Sequence, residues 1–548
     1  MDEGIALAIA PPEIAAGPLL DHSLKKSPGK LGLLVFGILV VGLVYAGTQL
    51  ARDLSNVHTP TAWPYLLLGL ALLIALGFEF VNGFHDTANA VATVIYTNSL
   101  EPRLAVVWSG LWNLVGVLTS SGAVAFSIVA LLPVELILQV NKGAGFAMVF
   151  ALLIAAILWN LGTWWLGLPA SSSHTLIGSI IGVGVANQMM NGRNGLSGVD
   201  WDQAASVFRV LLISPLVGFG GAALLLLAFK FFVRDPALYE SPKGNEPPPF
   251  WIRCLLILTC TGVSFGHGSN DGQKGMGLIM LILIGTVPTA YALNHAIGYN
   301  KVQDFAAVSQ QSERALDAFI QKAAADNAAA ADPAPADARA VLTSYIRTRA
   351  FAPVDLPALR QMIQVIENEV VPTGALANVP EGQQQNVRNN MYIVSESLRL
   401  MLKKGGPAFT PADTATLVNY RRYLDDSTKF IPTWVKVAVA LALGLGTMVG
   451  WKRIVVTIGE KIGKQHLTYA QGAAAGIVAA ATIIAADNFQ MPVSTTHVLS
   501  SGVAGTMTAN GSGLQLITIR NIALAWVFTL PAAALLAGGL LWVMRQFI

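Results

Sequence analysis

The stretch LPASSSHTLIGSIIGVGVAN, residues 168–187, returns near the other end of the chain as MPVSTTHVLSSGVAGTMTAN, residues 491–510. Aligned without a gap, Pro169, Ser171, His174, Leu176, Gly182 and Asn187 fall on Pro492, Ser494, His497, Leu499, Gly505 and Asn510, a constant shift of 323 residues. Apolar segments match one another by chance because they draw on few residue types. Agreement at a proline, a serine, a histidine and an asparagine within such segments reports a duplication. A second pair supports it: GFEFVNGFHDTANAVATV from Gly77 and VSFGHGSNDGQKGMGLIM from Val263 place Phe80, Gly83 and Asp86 on Phe265, Gly268 and Asp271, a shift of 185. The two shifts differ by 138, close to the length of a polar block between about Asn300 and Lys429. Removing that block makes the halves collinear, so it interrupts the second copy.

The rest of the chain says what solvent surrounds these repeats. Of 548 residues, 54% are hydrophobic and 12% charged, where a soluble domain carries about 25% charged residues; the mean hydropathy is +0.57. Apolar runs at about 31–50, 65–81, 104–131, 146–168, 208–232, 252–264, 276–293, 434–450, 470–487 and 521–544 are full or partial spans of a bilayer. Short Gly- and Ser-rich pieces at about 83–96, 174–187 and 497–509 read as half-helices or re-entrant hairpins. The net charge of +3, with basic residues in short clusters, excludes a nucleic-acid binder. Cys254 and Cys260, six residues apart on one helix, are too far apart for a disulfide. Lys25, Lys26 and Lys30 before the first run suggest a leader, but the run is too long for one and no small-residue cleavage site follows, so it reads as a retained helix with a cytoplasmic N-terminus.

These patterns predict an all-α polytopic membrane protein with two inverted-topology repeats, re-entrant helical hairpins and a soluble helical insertion. Its expected parts are an N-terminal tail and extra transmembrane helix (1–64), the first repeat and the start of the second (65–296), the insertion on the periplasmic side (297–432) and the remainder of the second repeat (433–548). Within the insertion, RALDAFIQ and NVRNNMYIVSESLRLMLKK have amphipathic helical periodicity. With inverted repeats, Lys452, Arg453, Lys461 and Lys464 fall on the cytoplasmic side together with Lys230, Arg234 and Arg253, as the positive-inside rule requires. Repeats with interrupted apolar segments in corresponding places are the pattern of secondary transporters, whose site lies between the repeats.

Ionisable side chains at membrane depth mark function, because each costs about 2.5–3.5 kcal/mol to insert. The first motif offers Glu79, His85 and Asp86, the second His267, Asp271 and Lys274. Asn82, Asp86 and Asn89, with an unwound backbone at Gly83, supply the oxygen ligands a hard cation prefers. Asn270 and Asp271 repeat that offer, but Lys274 stands where Asn89 stands in the first copy. An ammonium there either takes a cation's place or attracts an anion, which points to proton rather than sodium coupling. Ser171, Ser172 and Ser173, with Ser494, Thr495 and Thr496, follow a proline at a helix start, where free amides and the helix dipole favour an oxyanion; the same hydroxyls equally serve as helix caps. His174 and His497 are read two ways, as proton carriers or as fixed hydrogen-bond donors.

At these residues the chain resembles the inorganic phosphate transporter (PiT) family, in particular its bacterial low-affinity Pit symporters. The likeness rests on NGFHDTANAVATVIYT (82–97), HGSNDGQKGMGL (267–278), LPASSSHTLIG (168–178), GWKRIVVTIGEKIGKQHLTYAQG and PVSTTHVLSSGVAGTM. It spans about 65–295 and 433–545. The resemblance implies phosphate transport coupled to a cation, in an inner membrane, with phosphate carried free or as a neutral complex with a divalent metal. It implies that Asp86, Asn89 and Asp271 serve the cation and that Ser172, Ser173, Thr495 and Thr496 serve phosphate. The residues themselves extend these sets to Glu79, Asn82 and Asn270 for the cation or proton, to Ser171, Ser494, Gln273 and Lys274 for phosphate, and to His85, His174, His267 and His497 as proton relays. Sodium-coupled members resemble a pattern with the asparagine in both copies, so Lys274 departs from it. No catalytic residue, resident metal or cofactor is expected. The expected partners are inorganic phosphate, membrane lipid and a second copy in a homodimer. Two rivals stand beside this reading: a carrier of another tetrahedral oxyanion such as sulfate, and an intramembrane hydrolase using Ser173 or Thr496. Duplication of the hydroxyl cluster weighs against a single nucleophile.

Overall fold

The apolar runs fold as helices, since in hydrocarbon the backbone amides have only one another as partners. The computed structural model describes residues 29–55, 63–86, 88–132, 143–190, 199–326, 337–403 and 407–547, and among them the regular structure is helical, with no strand. Lys25 and Lys26, on which the expected cytoplasmic N-terminus rests, lie outside these residues, as does much of the 1–64 segment.

The first half comprises α1 (Gly29–Leu54), α2 (Trp63–Asp86), α3 (Ala88–Tyr96), α4 (Pro102–Thr119), α5 (Ala123–Val129), α6 (Gly143–Trp165), α7 (Ser172–Met190) and α8 (Trp201–Phe232). The long α9 (Phe250–Thr286) opens the second half. A helical block follows: α10 (Tyr299–Asp326), α11 (Ala338–Thr348), α12 (Asp355–Val370), α13 (Glu381–Lys403) and α14 (Pro411–Thr428). The chain then resumes with α15 (Thr433–Met448), α16 (Lys452–Val456), α17 (Tyr469–Asn488), α18 (Thr495–Asn510) and α19 (Leu516–Met544). Six of the spans are long and apolar enough to cross a membrane, and up to eight if the bent pairs α4–α5 and α14–α15 each count as one.

The expected interruption is not seen among the described residues of either motif: α9 runs unbroken through Asp271, Gly83 and Asn82 are helical rather than unwound, and Thr87, between α2 and α3, lies outside the described residues. Polar side chains in α9 find partners on neighbouring helices, so its backbone has no need to open.

Helices from the two halves interleave. α2 packs along α15, and α9 along α4. Matching glycines permit both crossings: a Cβ on Gly83 would lie 2.2 Å from the Leu443 carbonyl oxygen, and one on Gly268 would lie 2.1 Å from that of Asn113. The hairpin helices follow the same rule. α7 packs on α19 and α18 on α8; a Cβ on Gly182 would meet the Ala534 carbonyl at 2.1 Å, and one on Gly505 that of Phe219 at 2.1 Å. Only a bare Cα lets backbones approach so closely, the usual basis of helix association in lipid. α7 and α18 are buried on nearly every side, which explains their lack of an apolar stripe.

Both hairpins turn alike. Two residues past α6 the chain turns at Gly167 (φ 67°), and two residues past α17 at Gln490 (φ 59°), positions that the 323-residue shift superposes. Pro169 and Pro492 follow two residues later.

The block α10–α14 has an apolar interior, with Leu316, Leu359, Ile363, Ile393, Leu398 and Tyr420 buried, that is continuous with the core of the other helices, and both periodic stretches of the sequence lie in its helices. Ion pairs add to this contact. Asp200, the N-cap of α8, pairs with Arg349 at 2.8 Å and with Arg399 at 2.9 Å. Burial alone would raise the Asp200 carboxyl, but the hydrogen bond from Arg349, the amide of Gln203 and the two guanidinium charges hold it below the usual carboxylate range.

Candidate functional site

Each hairpin helix begins with three hydroxyls, and the first is spent on capping. Ser171 Oγ accepts from the His174 amide (3.2 Å) and Ser494 Oγ from the His497 amide (3.1 Å). For these two residues the observed contacts are those of a helix cap.

The later hydroxyls face the aspartate helices. Ser172 Oγ lies 2.7 Å from Asn82 Oδ1 and also against Asp86 Oδ2, with one proton to offer the two. Thr496 Oγ1 donates to Asp86 Oδ1 (2.9 Å) and accepts from Asn89 Nδ2 (2.9 Å). Ser173 Oγ donates to the Val493 carbonyl (2.9 Å) and accepts from Lys274 Nζ. Thr495 Oγ1 is buried without a hydrogen-bond partner. The hairpin turns are pinned as well: Asn270 holds the Met491 carbonyl (3.0 Å) and the Val493 amide (3.3 Å).

The two aspartates converge. Asp86, His267 and Asp271, all buried, offer ligand atoms within 4.8 Å of one another. Lys274 Nζ sits 2.8 Å from Asp271 Oδ1. His267 Nδ1 meets Asn113 Oδ1 at 2.7 Å; a carboxamide oxygen only accepts, so Nδ1 carries the proton and Nε2 faces Asp271 Oδ2 at 3.8 Å. A neutral imidazole nitrogen and two carboxylates so arranged repel unless a cation or proton joins them. His85 stands between Asp86 (Nδ1 to Oδ1, 2.9 Å) and Thr163 (Nε2 to Oγ1, 3.1 Å). With Nδ1 protonated His85 donates to Asp86; with Nε2 protonated it donates to Thr163 instead.

Glu79 is fully buried; its Oε2 accepts weakly from Asn82 at 3.4 Å and its Oε1 has no partner. His174 and His497, related by the repeat, stack with ring centroids 4.4 Å apart, and Trp526 covers His497 at 4.1 Å. Neither ring nitrogen of His497 has a hydrogen-bond partner. Gln273 points elsewhere: its amide binds the Ser269 carbonyl (2.6 Å) and Asp487 (2.8 Å), and its oxygen takes the Val124 amide (3.0 Å). Asp487, Asn113 and Thr163 were not foreseen. Their only sequence signal is a polar residue within an apolar span.

Buried carboxylates meet helix-start hydroxyls here, and both sets are drawn from both halves of the chain. A model of the Phosphate transporter family matches residues 82–537. The chain belongs to that family. It is 43% identical over 499 residues to the low-affinity inorganic phosphate transporter PitA of Escherichia coli (strain K12), covering 88% of this chain and 97% of that one. Against PitB of the same organism it is 42% identical over 500 residues, covering 88% and 97%. Against a probable low-affinity inorganic phosphate transporter of Bacillus subtilis (strain 168) it is 27% identical over 475 residues, covering 86% and 96%. Among solved structures, one described as the sodium-dependent phosphate transporter superposes with a TM-score of 0.48 at 17% identity, covering 88% of this chain and 100% of that one. In this member of the phosphate transporter family, Asn82, Asp86, Asn89, Asn270, Asp271, Lys274, Ser172, Ser173 and Thr496 meet where α2, α3, α9, α7 and α18 adjoin, whereas the polar atoms of Gln273 face α5 and Asp487.

Proposed function

We infer that this member of the phosphate transporter family carries inorganic phosphate across the inner membrane by cation-coupled symport, with the proton as the coupling ion. The observation that supports the reading is the convergence of Asp86 and Asp271, with Asp86 held by a hydroxyl from each of the two matched hairpins. Asp86, Asp271, Asn82, Asn89, Asn270 and Glu79 form the cation side; Ser172, Ser173, Thr495 and Thr496, at the positive ends of α7 and α18, form the phosphate side. The Lys274 ammonium beside Asp271, where the first copy has the neutral Asn89, supports proton coupling. When phosphate travels with a divalent metal, that metal is cargo, and Asp86, His267 and Asp271 are the ligands within reach of it.

Alternating access follows from two inverted repeats rocking about the site. In that arrangement the block α10–α14 is a soluble insertion on the periplasmic face, and lipid covers the exposed apolar side chains of α8 and α19. Uptake of radiolabelled phosphate into proteoliposomes tests the reading. An inward proton gradient is expected to drive accumulation and sulfate to compete poorly. Accumulation driven by sodium alone, or none under either gradient, defeats it.

A further inference from the structure

Lys274 is a fully buried lysine in the middle of α9, and its surroundings differ from those of an anion-binding lysine. Its ammonium has three protons to donate. The three oxygens around it are Asp271 Oδ1 at 2.8 Å, Ser173 Oγ, and the Val493 carbonyl at 3.3 Å. A carboxylate, a hydroxyl and a backbone carbonyl are the donor set of a small hard cation. The hydroxyl and the carbonyl accept hydrogen bonds from the ammonium, and the Asp271 carboxylate pairs with its charge, so the charge is already answered within the chain.

The internal repeat shows what stands at this point when the ammonium is absent. The shift of 185 that superposes Asp271 on Asp86 superposes Lys274 on Asn89, and the shift of 323 superposes Ser173 on Thr496. The contacts repeat with the positions. Asn89 reaches from the helix of one aspartate to the third hydroxyl of the hairpin in the other half, and Lys274 does the same in the opposite direction. One half-site therefore joins aspartate and hairpin through a neutral carboxamide, the other through a positive charge held by the chain.

We propose that Lys274 is a tethered cation, filling in the second repeat the half-site that a free monovalent cation would occupy if the residue were an asparagine. This rests on the cation-coupled reading above and moves Lys274 from the phosphate side of the site, where its charge first suggests it belongs, to the cation side. The second half-site then takes no mobile cation during the cycle. Lys274 thereby sets ion specificity: the side chain neutralises Asp271 without exchange, while the first half-site stays open to the coupling ion.

The test is cation binding by the full-length protein in detergent, read as melting temperature in sodium chloride against choline chloride at equal ionic strength, without phosphate. The wild type is expected to show no sodium-specific shift. Lys274→Asn is expected to gain a saturable upward shift in sodium, and in proteoliposomes to lose phosphate uptake in choline and recover it in sodium. Lys274→Gln serves the same purpose with a longer amide. Lys274→Arg keeps the charge and is expected to stay indifferent to sodium, and adding Asp271→Asn to Lys274→Asn is expected to remove the acquired shift. The proposal is overturned if the folded Asn and Gln variants ignore sodium, if the Arg variant acquires the response, or if both amide variants fail to fold even in sodium, where the free ion ought to replace the missing charge. Because the melting assay contains no phosphate, failure of the phosphate reading leaves this result readable.

Discussion

Replacing Gly275 with alanine probes the contact on which the site depends, that of α2 with α9 beside the two aspartates. A Cβ at Gly275 would stand 2.1 Å from Glu79 Oε1, 2.5 Å from its Cγ and 2.6 Å from its Cδ. Ordinary carbon contacts begin near 3.4 Å, so about an ångström of displacement is needed, and the fully buried Glu79 has no free space into which to swing. Overpacking of this kind costs about 1–3 kcal/mol. Glu79→Ala removes every clashing atom beyond Cβ, at the separate cost of a cavity of a few methylenes. The two substitutions therefore couple: Gly275→Ala in the Glu79→Ala background is expected to cost at least about 1 kcal/mol less than in the wild type, within the usual range for residues in contact. Denaturation of the four proteins in detergent, followed by tryptophan fluorescence and closed as a double-mutant cycle, measures this. Additivity within about 0.5 kcal/mol would show that Glu79 does not lie against Gly275 and that the apposition of the aspartate helices is wrong.

Other outcomes follow from the same geometry. Asp86→Asn and Asp271→Asn are each expected to abolish coupled phosphate uptake while the protein still inserts and purifies as a folded species; normal uptake in either variant removes that aspartate from the site. Asp200→Ala removes the cap of α8 and two ion pairs, costing about 1 kcal/mol for the cap alone, and is expected to speed limited proteolysis of α10–α14. Because the Asp200 carboxyl is held low in the folded protein, its contribution is fully present above the unfolded value near 4 and fades as pH falls through the folded value, so docking of the block weakens only in acid. Glu313 runs the other way: burial first, then the hydrogen bond and charge of Glu367, push it up to about 7. The folded block then holds a proton that the unfolded chain has released, so its stability declines as pH rises from about 4.5 to 7. Glu313→Gln is expected to flatten that decline in a melting series.

Legibility divided along one line. Features carried by pattern were readable: the paired hairpins, the two aspartates, and the helical block that separates the second copy's motifs. They were readable because Pro169 with Pro492, and Asp86 with Asp271, agree where apolar drift would have erased them. The continuity of α9 was not, because Gly266, Gly268, Gly272 and Gly275 look like breaks in one dimension and serve in three as places for other helices to touch; Gly268 meets the Asn113 carbonyl and Gly272 the Val117 side chain. Gln273 misled for a related reason. Beside Asp271 in sequence, it lies on another face of the helix and is claimed by Asp487 and the α5 backbone. Asn113 and Thr163 fix the histidines from helices that no local pattern connects to the motifs.

The crossed hydrogen bonds have an evolutionary corollary. Asn89 is tied to Thr496, and Lys274 to Ser173, so neither copy of the ancestral gene retains its own complement. A change at one position alters what is tolerated at a partner roughly a hundred or four hundred codons away. Asparagine in one copy and lysine in the other mark that mutual captivity: the two segments are not interchangeable, and the chain is a single unit of inheritance.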